Sequence, residues 1–288
     1  MPDPADLVQQ TLQRLTQLYR EEHLEPGLLS QVAVKPGWNV VIASHGQCGM
    51  AMNFTGWDES FGPARLDVER LHHLVGQDLF QVAATCVPAK SWQERSVGVA
   101  AVSALSQPLL TAQCLTRRGM ALDGPDRDLA SLAQPDDVVA IVGYGGSVQR
   151  LLGRCRELHV TDMRPRSAFQ TLLIGEEVEF VPREVIVHPA EDDFGVLERA
   201  TVVAITGSAL VNRSFEELLR HTSAARLVTA YGASASLWPE LLLNSGVDLV
   251  YTYRVSDPAA LAAAAVGEMH MEPVIQRTQT QVAMRRAG

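Results

Sequence analysis

The sequence predicts an α/β protein, with a doubly wound parallel sheet in its second half and a smaller α+β domain before it. Three observations carry this reading. After Asp136, short apolar runs alternate with helical patterns, which is the signature of strand–helix units in a parallel sheet. The first of these runs, Val138 to Val142, is apolar without a break, as in a strand covered on both faces. Before residue 119 the order differs, with strand patterns first and helical patterns after them.

The elements follow in chain order. Val8, Leu12, Leu15 and Tyr19 recur at helical spacing, and Pro26-Gly27 closes that helix. Val32 to Val34, Trp38 to Ala43 and Gly49 to Phe54 read as a meander, the last two strands joined by Ser44 to Cys48. A helix is expected over 64–76. Another should start at the capping box Ser91-Trp92-Gln93-Glu94 and run through Ser96 to Leu105. Residues 119–137 are rich in Gly, Pro and Asp and mark the domain boundary, giving domains of 1–130 and 131–288.

Beyond the boundary the strands are read as Val138 to Val142, Leu158 to Thr161, Val178 to Val181, Val202 to Thr206, Leu227 to Ala230 and Leu249 to Tyr253. Helices are read at Val148 to Cys155, Ala168 to Ile174, Phe215 to Arg220, Pro239 to Leu243 and Ala259 to Val266. Six such strands allow the order 3-2-1-4-5-6, a Rossmann-like arrangement.

Composition narrows the function. The chain has 288 residues, 47% hydrophobic and 20% charged, so it can bury a core. A formal charge of −9 argues against nucleic acid, whose phosphates need a basic surface. No apolar run reaches the roughly 18 residues of a membrane span, and no membrane partner is expected. The opening residues carry Pro and Asp where a signal peptide would be basic and then apolar, so a cytoplasmic location is expected. Cys48, Cys86, Cys114 and Cys155 form no CxxC pair and read as reduced, mostly buried thiols.

The strongest chemical signal is Gly143-Tyr144-Gly145-Gly146-Ser147 after the first parallel strand. Glycines permit a sharp turn and close approach of a ligand, and a helix start favours an anion. Asp162, 19 residues after Gly143, stands where an acid can hold a ribose hydroxyl. Val148 replaces the third glycine of a dinucleotide fingerprint, and a plain tight turn is the alternative. Two further strand ends carry small and hydroxylated residues: Thr206-Gly207-Ser208 through Asn212, and Gly232 with Ser234. In the expected order the first and fourth strands flank the switch point, so these loops should face one crevice. The alternative for the second loop is that Ser214 with Glu217 caps the next helix.

Metal donors are present at poor spacing. His72-His73 are adjacent and diverge on a helix, Glu268 to Glu272 surrounds a single histidine, and His45 with Cys48 shares a turn that could meet one ion. Cys48 with His45 as nucleophile and base is a weaker reading, since no helix start lowers the thiol's pKa.

The stretch Val203 to Asn212, followed by Ser214 and Glu216-Glu217-Leu218-Leu219, resembles the signature of the family described as putative heavy-metal chelation. So do Val139 to Tyr144, Leu158 to Pro165, Tyr231 to Trp238 and Ser245 to Asp248. Glu94 to Ala101 is similar to the motif of the small domain that precedes them. The resemblance implies an enolase N-terminal-like first domain, a Rossmann-like second domain and a site between them. Arg213 departs from the small residue of many relatives and would restrict the cleft or hold an anion. In such a cleft Glu94 would be an acid, base or ligand and Arg95 a clamp for a carboxylate, against a helix cap and a salt bridge.

Two functions stay open on these grounds. One is a protein that binds a metal or a metal-chelating small molecule in the interdomain cleft. The other is an enzyme that holds a nucleotide or S-adenosylmethionine. A third, a noncatalytic partner protein, is separated from them only weakly, and a homo-oligomer is compatible with all three. The cofactor is a metal ion or a nucleotide-like ligand on this reading.

Overall fold

The computed structural model describes residues 6–55, 68–145, 147–165, 170–173, 176–179, 182, 184–267 and 271–288. The chain opens with α1 (Leu7–Glu21), capped by Asp6, whose carboxylate accepts from the Gln9 amide. Strands β1 (Leu29–Lys35), β2 (Trp38–Ala43) and β3 (Cys48–Met52) form the expected antiparallel meander. The helices α2 (Val68–His72), α3 (Leu79–Cys86) and α4 (Trp92–Ser106) follow. Of the helix expected over 64–76, residues 64–67 lie outside the described residues. Ser91 caps α4, its hydroxyl accepting from the Glu94 amide at 3.5 Å.

Every residue of α4 from Arg95 to Ser106 is buried, so this helix is surrounded on all sides. Its small residues permit that. A Cβ at Gly98 would stand 2.5 Å from the Val87 nitrogen, and one at Gly49 of β3 would stand 2.1 Å from the Ala100 carbonyl oxygen. Alternate residues of the meander point to opposite faces. Val41 and Ala51 join the core that contains α4, whereas Val40, Cys48 and Met50 pack in a cluster with Leu261, Ala265, Met271 and Val274 near the end of the chain.

The remaining elements are α5 (Ala112–Thr116), β4 (Met120–Asp123), α6 (Leu129–Leu132), β5 (Val138–Val142), α7 (Ser147–Leu151), β6 (Glu157–Asp162), β7 (Gln170–Leu173), β8 (Glu176–Glu179) and β9 (Val185–Pro189). After them come α8 (Asp193–Leu197), β10 (Val202–Thr206), α9 (Ser208–Asn212), α10 (Phe215–Arg220), β11 (Leu227–Tyr231), α11 (Glu240–Asn244), β12 (Leu249–Val255), α12 (Pro258–Gly267), α13 (Glu272–Thr278) and β13 (Gln279–Arg286).

The large sheet has eight strands in the order β4-β13-β12-β11-β10-β5-β6-β9. Its six parallel members, β5, β6, β9, β10, β11 and β12, stand in the expected order 3-2-1-4-5-6. Successive strands are therefore added on one side of β5 up to β9 and on its other side from β10 onward, and a crevice opens between β5 and β10 at their carboxyl ends.

Four expectations are corrected. The third parallel strand is β9, not Val178 to Val181: within that run, residues 178–179 belong to β8, which pairs with β7 in a separate two-stranded sheet. The physical reason is composition. Glu176-Glu177-Val178-Glu179 is mostly charged and suits no strand covered on both faces, whereas Val185-Ile186-Val187 is an unbroken β-branched run. The helix expected at Ala168 to Ile174 is strand at 170–173, its other residues lying outside the described ones. The segment 119–137 is more than a connector, because β4 joins the large sheet through β13 and α6 follows it. The Ser214–Glu217 cap does not form: the Ser214 hydroxyl donates to Asn212 Oδ1 at 2.7 Å instead.

The chain's two halves share one core. Leu15, Leu79, Val99 and Leu105 belong to the same buried cluster as Val203, Leu210, Phe215 and Trp238. Among the described residues no helix is long and apolar enough to cross a membrane.

Candidate functional site

The crevice is a cavity of about 840 Å³. Its floor is the carboxyl edge of the parallel sheet, with Gly143, Tyr144, Gly145 and Ser147 after β5, Thr161 and Asp162 at the end of β6, Thr206, Ser208 and Asn212 after β10, and Gly232 and Ser234 after β11. The three loops predicted to converge do converge. The opposite wall is Trp38, Met52 and Phe54 of the first half, and Ile275 and Gln279 close another side. Gly146 lies outside the described residues.

Within this group the roles differ from those expected. The amides of Gly143, Gly207 and Gly232 are spent on the neighbouring strand, donating to the carbonyls of Thr161 (2.7 Å), Tyr231 (2.7 Å) and Tyr251 (3.0 Å). They continue the ladder instead of meeting a ligand. Gly143 has φ +89°, a left-handed backbone that glycine adopts without strain. The Tyr231 hydroxyl lies beneath this turn and donates to the Val142 and Gly143 carbonyls, and burial raises its pKa. Gly207 is a packing residue outside the cavity lining: a Cβ there would stand 2.3 Å from the Ala235 nitrogen. Ser234 is buried and its hydroxyl accepts from the Met52 amide at 2.9 Å, tying β3 to the loop after β11.

Asp162 accepts from the Tyr144 amide at 2.8 Å and from the Arg164 amide at 2.8 Å. The Arg164 guanidinium also grips both carboxylate oxygens, at 3.0 and 2.9 Å. Asp162 therefore fixes the glycine turn, with its lone pairs largely engaged. The Thr206 hydroxyl accepts from the Ser208 amide at 3.4 Å, and Asn212 Oδ1 accepts from the Ser214 amide at 3.1 Å. The helices after the three loops are brief. α7 and α9 have five residues each, and Ala233–Ala235 is a single 3-10 turn. Few aligned peptide dipoles stand behind each end, which weakens the expected attraction for an anion.

Glu94 and Arg95 are absent from the lining. Arg95 is a buried staple. It is 2.8 Å from Asp6 Oδ2 and donates to the Leu210 carbonyl at 3.0 Å and to the Val87 carbonyl. Arg213 caps the end of α3 by donating to the Val87 and Ala89 carbonyls at 3.3 and 3.1 Å, so it neither narrows the cleft nor reaches a ligand there.

The metal candidates separate. His45 is exposed at the turn, with φ 63°. Cys48 is buried among Met50, Leu261 and Met271, and burial raises its thiol pKa to about 11. A thiol held protonated inside an apolar cluster is a poor ligand and a poor nucleophile. His72 and His73 are exposed on another face, Met271 is buried, and Glu268 to His270 lie outside the described residues. Among the described residues no three His, Cys, Asp or Glu side chains stand together as a metal site.

The sequence reading missed several residues of the wall: Arg150, Arg164, Asp193, Tyr251, Tyr253 and the aromatic side contributed by Trp38 and Phe54. Arg150 is paired with Asp128 at 2.9 Å. Asp193, at the start of α8, makes no ion pair among the described residues. Burial pushes its carboxyl up to about 6, the Thr161 hydroxyl partly offsets this, and Asp162, Glu191 and Asp192 add to the rise. Its Oδ1 and the Thr161 hydroxyl are both buried, and neither atom has a partner at hydrogen-bonding geometry. Asp193 was legible in principle. With β9 placed at Val185–Pro189, the carboxyl-end rule points to the residues just after it.

Fold and cavity together define an α/β protein with a doubly wound sheet, an antiparallel meander packed across its carboxyl edge, and a cavity of small-molecule size between them. Family profiles described as "putative heavy-metal chelation" match residues 19–106 and 128–281. The chain belongs to that family. Two solved structures of proteins of unknown function share the fold. One is from Desulfitobacterium hafniense, with a TM-score of 0.68 at 18% identity over 95% of this chain and 99% of that one. The other is from Pyrococcus horikoshii, with a TM-score of 0.69 at 17% identity over 96% of this chain and 99% of that one. No functionally curated protein matches the chain.

Proposed function

We propose that this protein binds a small organic molecule with a flat, partly apolar body in the cavity between its two parts. Any metal would arrive as a complex of that molecule. The observation that carries the reading is the cavity's make-up: strand-end loops on one side and the Trp38–Met52–Phe54 wall on the other, with a volume of about 840 Å³. That is within the range of sites for small molecules and cofactors, which combine an apolar lining with a few placed polar groups.

The family description implies a metal, and the residues do not fit a bare ion. A heavy-metal site needs several soft or imidazole donors around one point. Here Cys48 is a buried thiol and His45 is exposed, and no other donor set is assembled among the described residues. A chelating ligand would bring its own donors.

The second reading, an enzyme acting with a nucleotide or S-adenosylmethionine, is favoured by the 3-2-1-4-5-6 order and the glycine turn. It is weakened by Val148 in place of the third glycine and by the engagement of Asp162 with Arg164. We further infer a division near residue 130 into an enolase N-terminal-like part and a Rossmann-like part, and a cytoplasmic location, with all four cysteines as free thiols.

Native mass spectrometry of untagged protein, alongside elemental analysis, tests the reading. An organic mass is expected, with any metal only in its company. Gly145→Val should fold, since a Cβ there meets nothing closer than 3.8 Å, yet it should lose that mass because the added side chain enters the cavity. A stoichiometric metal without an organic mass, unchanged in Gly145→Val, would overturn it.

A further inference from the structure

We propose that the cavity selects ligands carrying a protonated amine or another cationic nitrogen, which Asp193 receives beside Thr161. The inference rests on the cavity being the binding site. It begins from the charge balance of the wall. Arg150 is committed to Asp128, and Arg164 to Asp162. Asp193 has no such partner among the described residues, and both its Oδ1 and the Thr161 hydroxyl, on a residue 1% exposed, are buried without a hydrogen-bond partner. Buried polar atoms of a native protein are almost always satisfied, so two side by side on a cavity wall mark the place where a ligand's donors complete the network.

An anion finds little here. The glycine amides at the strand ends are spent within the sheet, the helices behind the loops are five residues or fewer, and the two arginines are paired. A cation finds a carboxylate with part of its hydration already removed, where electrostatic attraction is stronger than at an open surface.

The groups around Asp193 reinforce this. Asp162 with Arg164 faces it from the end of β6, and Glu191 and Asp192 precede it. His188 of β9 lies 4.0 Å from Asp192, with its pKa lowered by burial and by His159. On α10, Glu217 and Arg220 pair with each other. Asp193 is therefore the acid whose charge changes near pH 6 on the cavity wall, and binding of a cation should follow its ionisation. About a tenth of it is ionised at pH 5 and nearly all at pH 7.5, so the affinity for a cation should rise about tenfold between them.

Three indoles of matched shape provide the test: tryptamine, neutral 3-methylindole and indole-3-propionate. Each is titrated calorimetrically into the full chain at pH 5 and pH 7.5, using wild type, Asp193→Asn and Trp38→Ala. The expected result is tryptamine bound at least about tenfold tighter than indole-3-propionate at pH 7.5. That preference should fall about tenfold at pH 5. Asp193→Asn should lose both the preference and the pH response while binding 3-methylindole as wild type does, and Trp38→Ala should weaken all three. If Trp38→Ala weakens binding but indole-3-propionate equals tryptamine, or Asp193→Asn keeps the preference, the cavity stands and the amine inference is overturned. If no indole binds, or Trp38→Ala changes nothing, the cavity reading falls and this inference with it.

Discussion

Asp193→Asn should make the protein more stable relative to wild type at pH 8 than at pH 4. In the folded chain the carboxyl titrates near 6 against an ordinary value of 3.8. A raised carboxyl pKa means that the folded state prefers the neutral acid. The stabilising contribution is complete below about pH 4 and is lost as pH rises through 6. A rise of about two units corresponds to roughly 3 kcal/mol. The group is part-exposed, so solvent screening reduces that to about 1–2 kcal/mol. Asparagine keeps the shape and cannot ionise, so the penalty disappears above pH 6. Urea unfolding at pH 4 and pH 8, with equal slopes for both proteins, measures it. His188 and the other titrating groups are common to both and largely cancel. A stability difference that does not change with pH, or a variant that loses ground at pH 8, would refute the reasoning. A half-buried ionised carboxylate that weakens the fold is what a binding residue retained for its ligand would look like.

Three other outcomes follow from the packing. Gly207→Ala should lower stability by about 1–3 kcal/mol in thermal unfolding, because its Cβ would stand 2.3 Å from the Ala235 backbone; an unchanged melting temperature would show that the loop after β11 can move away. Arg95→Met should cost about 3–5 kcal/mol by urea titration, since the Val87 and Leu210 carbonyls and Asp6 lose their common partner; a loss under 1 kcal/mol would mean that water reaches them. Trypsin should cut first at Arg127, in the exposed stretch 124–127 between β4 and α6, and the fragments should stay together on gel filtration because one core joins both halves; first cleavage inside 184–250 would argue against a boundary here.

A parallel sheet in the second half was legible in the sequence because most of its strands are apolar runs and the connections are long enough to cross over, although β9 was missed and its place given to Val178 to Val181. Val138 to Val142, Val202 to Thr206 and Leu249 to Tyr253 needed no tertiary information. So did the convergence of the loops at Gly143, Thr206 and Gly232, which follows from the topology of any such sheet. The antiparallel strands β4 and β13 were not legible, since an edge pairing depends on a partner about 160 residues away and leaves only a polar, alternating trace, Gln279 to Arg286.

Residue chemistry in the sequence marked where a site would form, and the tertiary structure decided what each residue does there. Asp162, Gly207, Ser234 and Arg95 all drew the sequence reading, but neighbours from other segments claim them: Tyr144, Ala235, Met52 and Asp6. The opposite happened at Asp193, an ordinary member of an acidic run that the fold sets into the cavity wall without a partner. Whether a polar group is satisfied is a property of the space around it. The sequence supplies the donors and acceptors, while burial and long-range contacts determine which of them remain for a ligand.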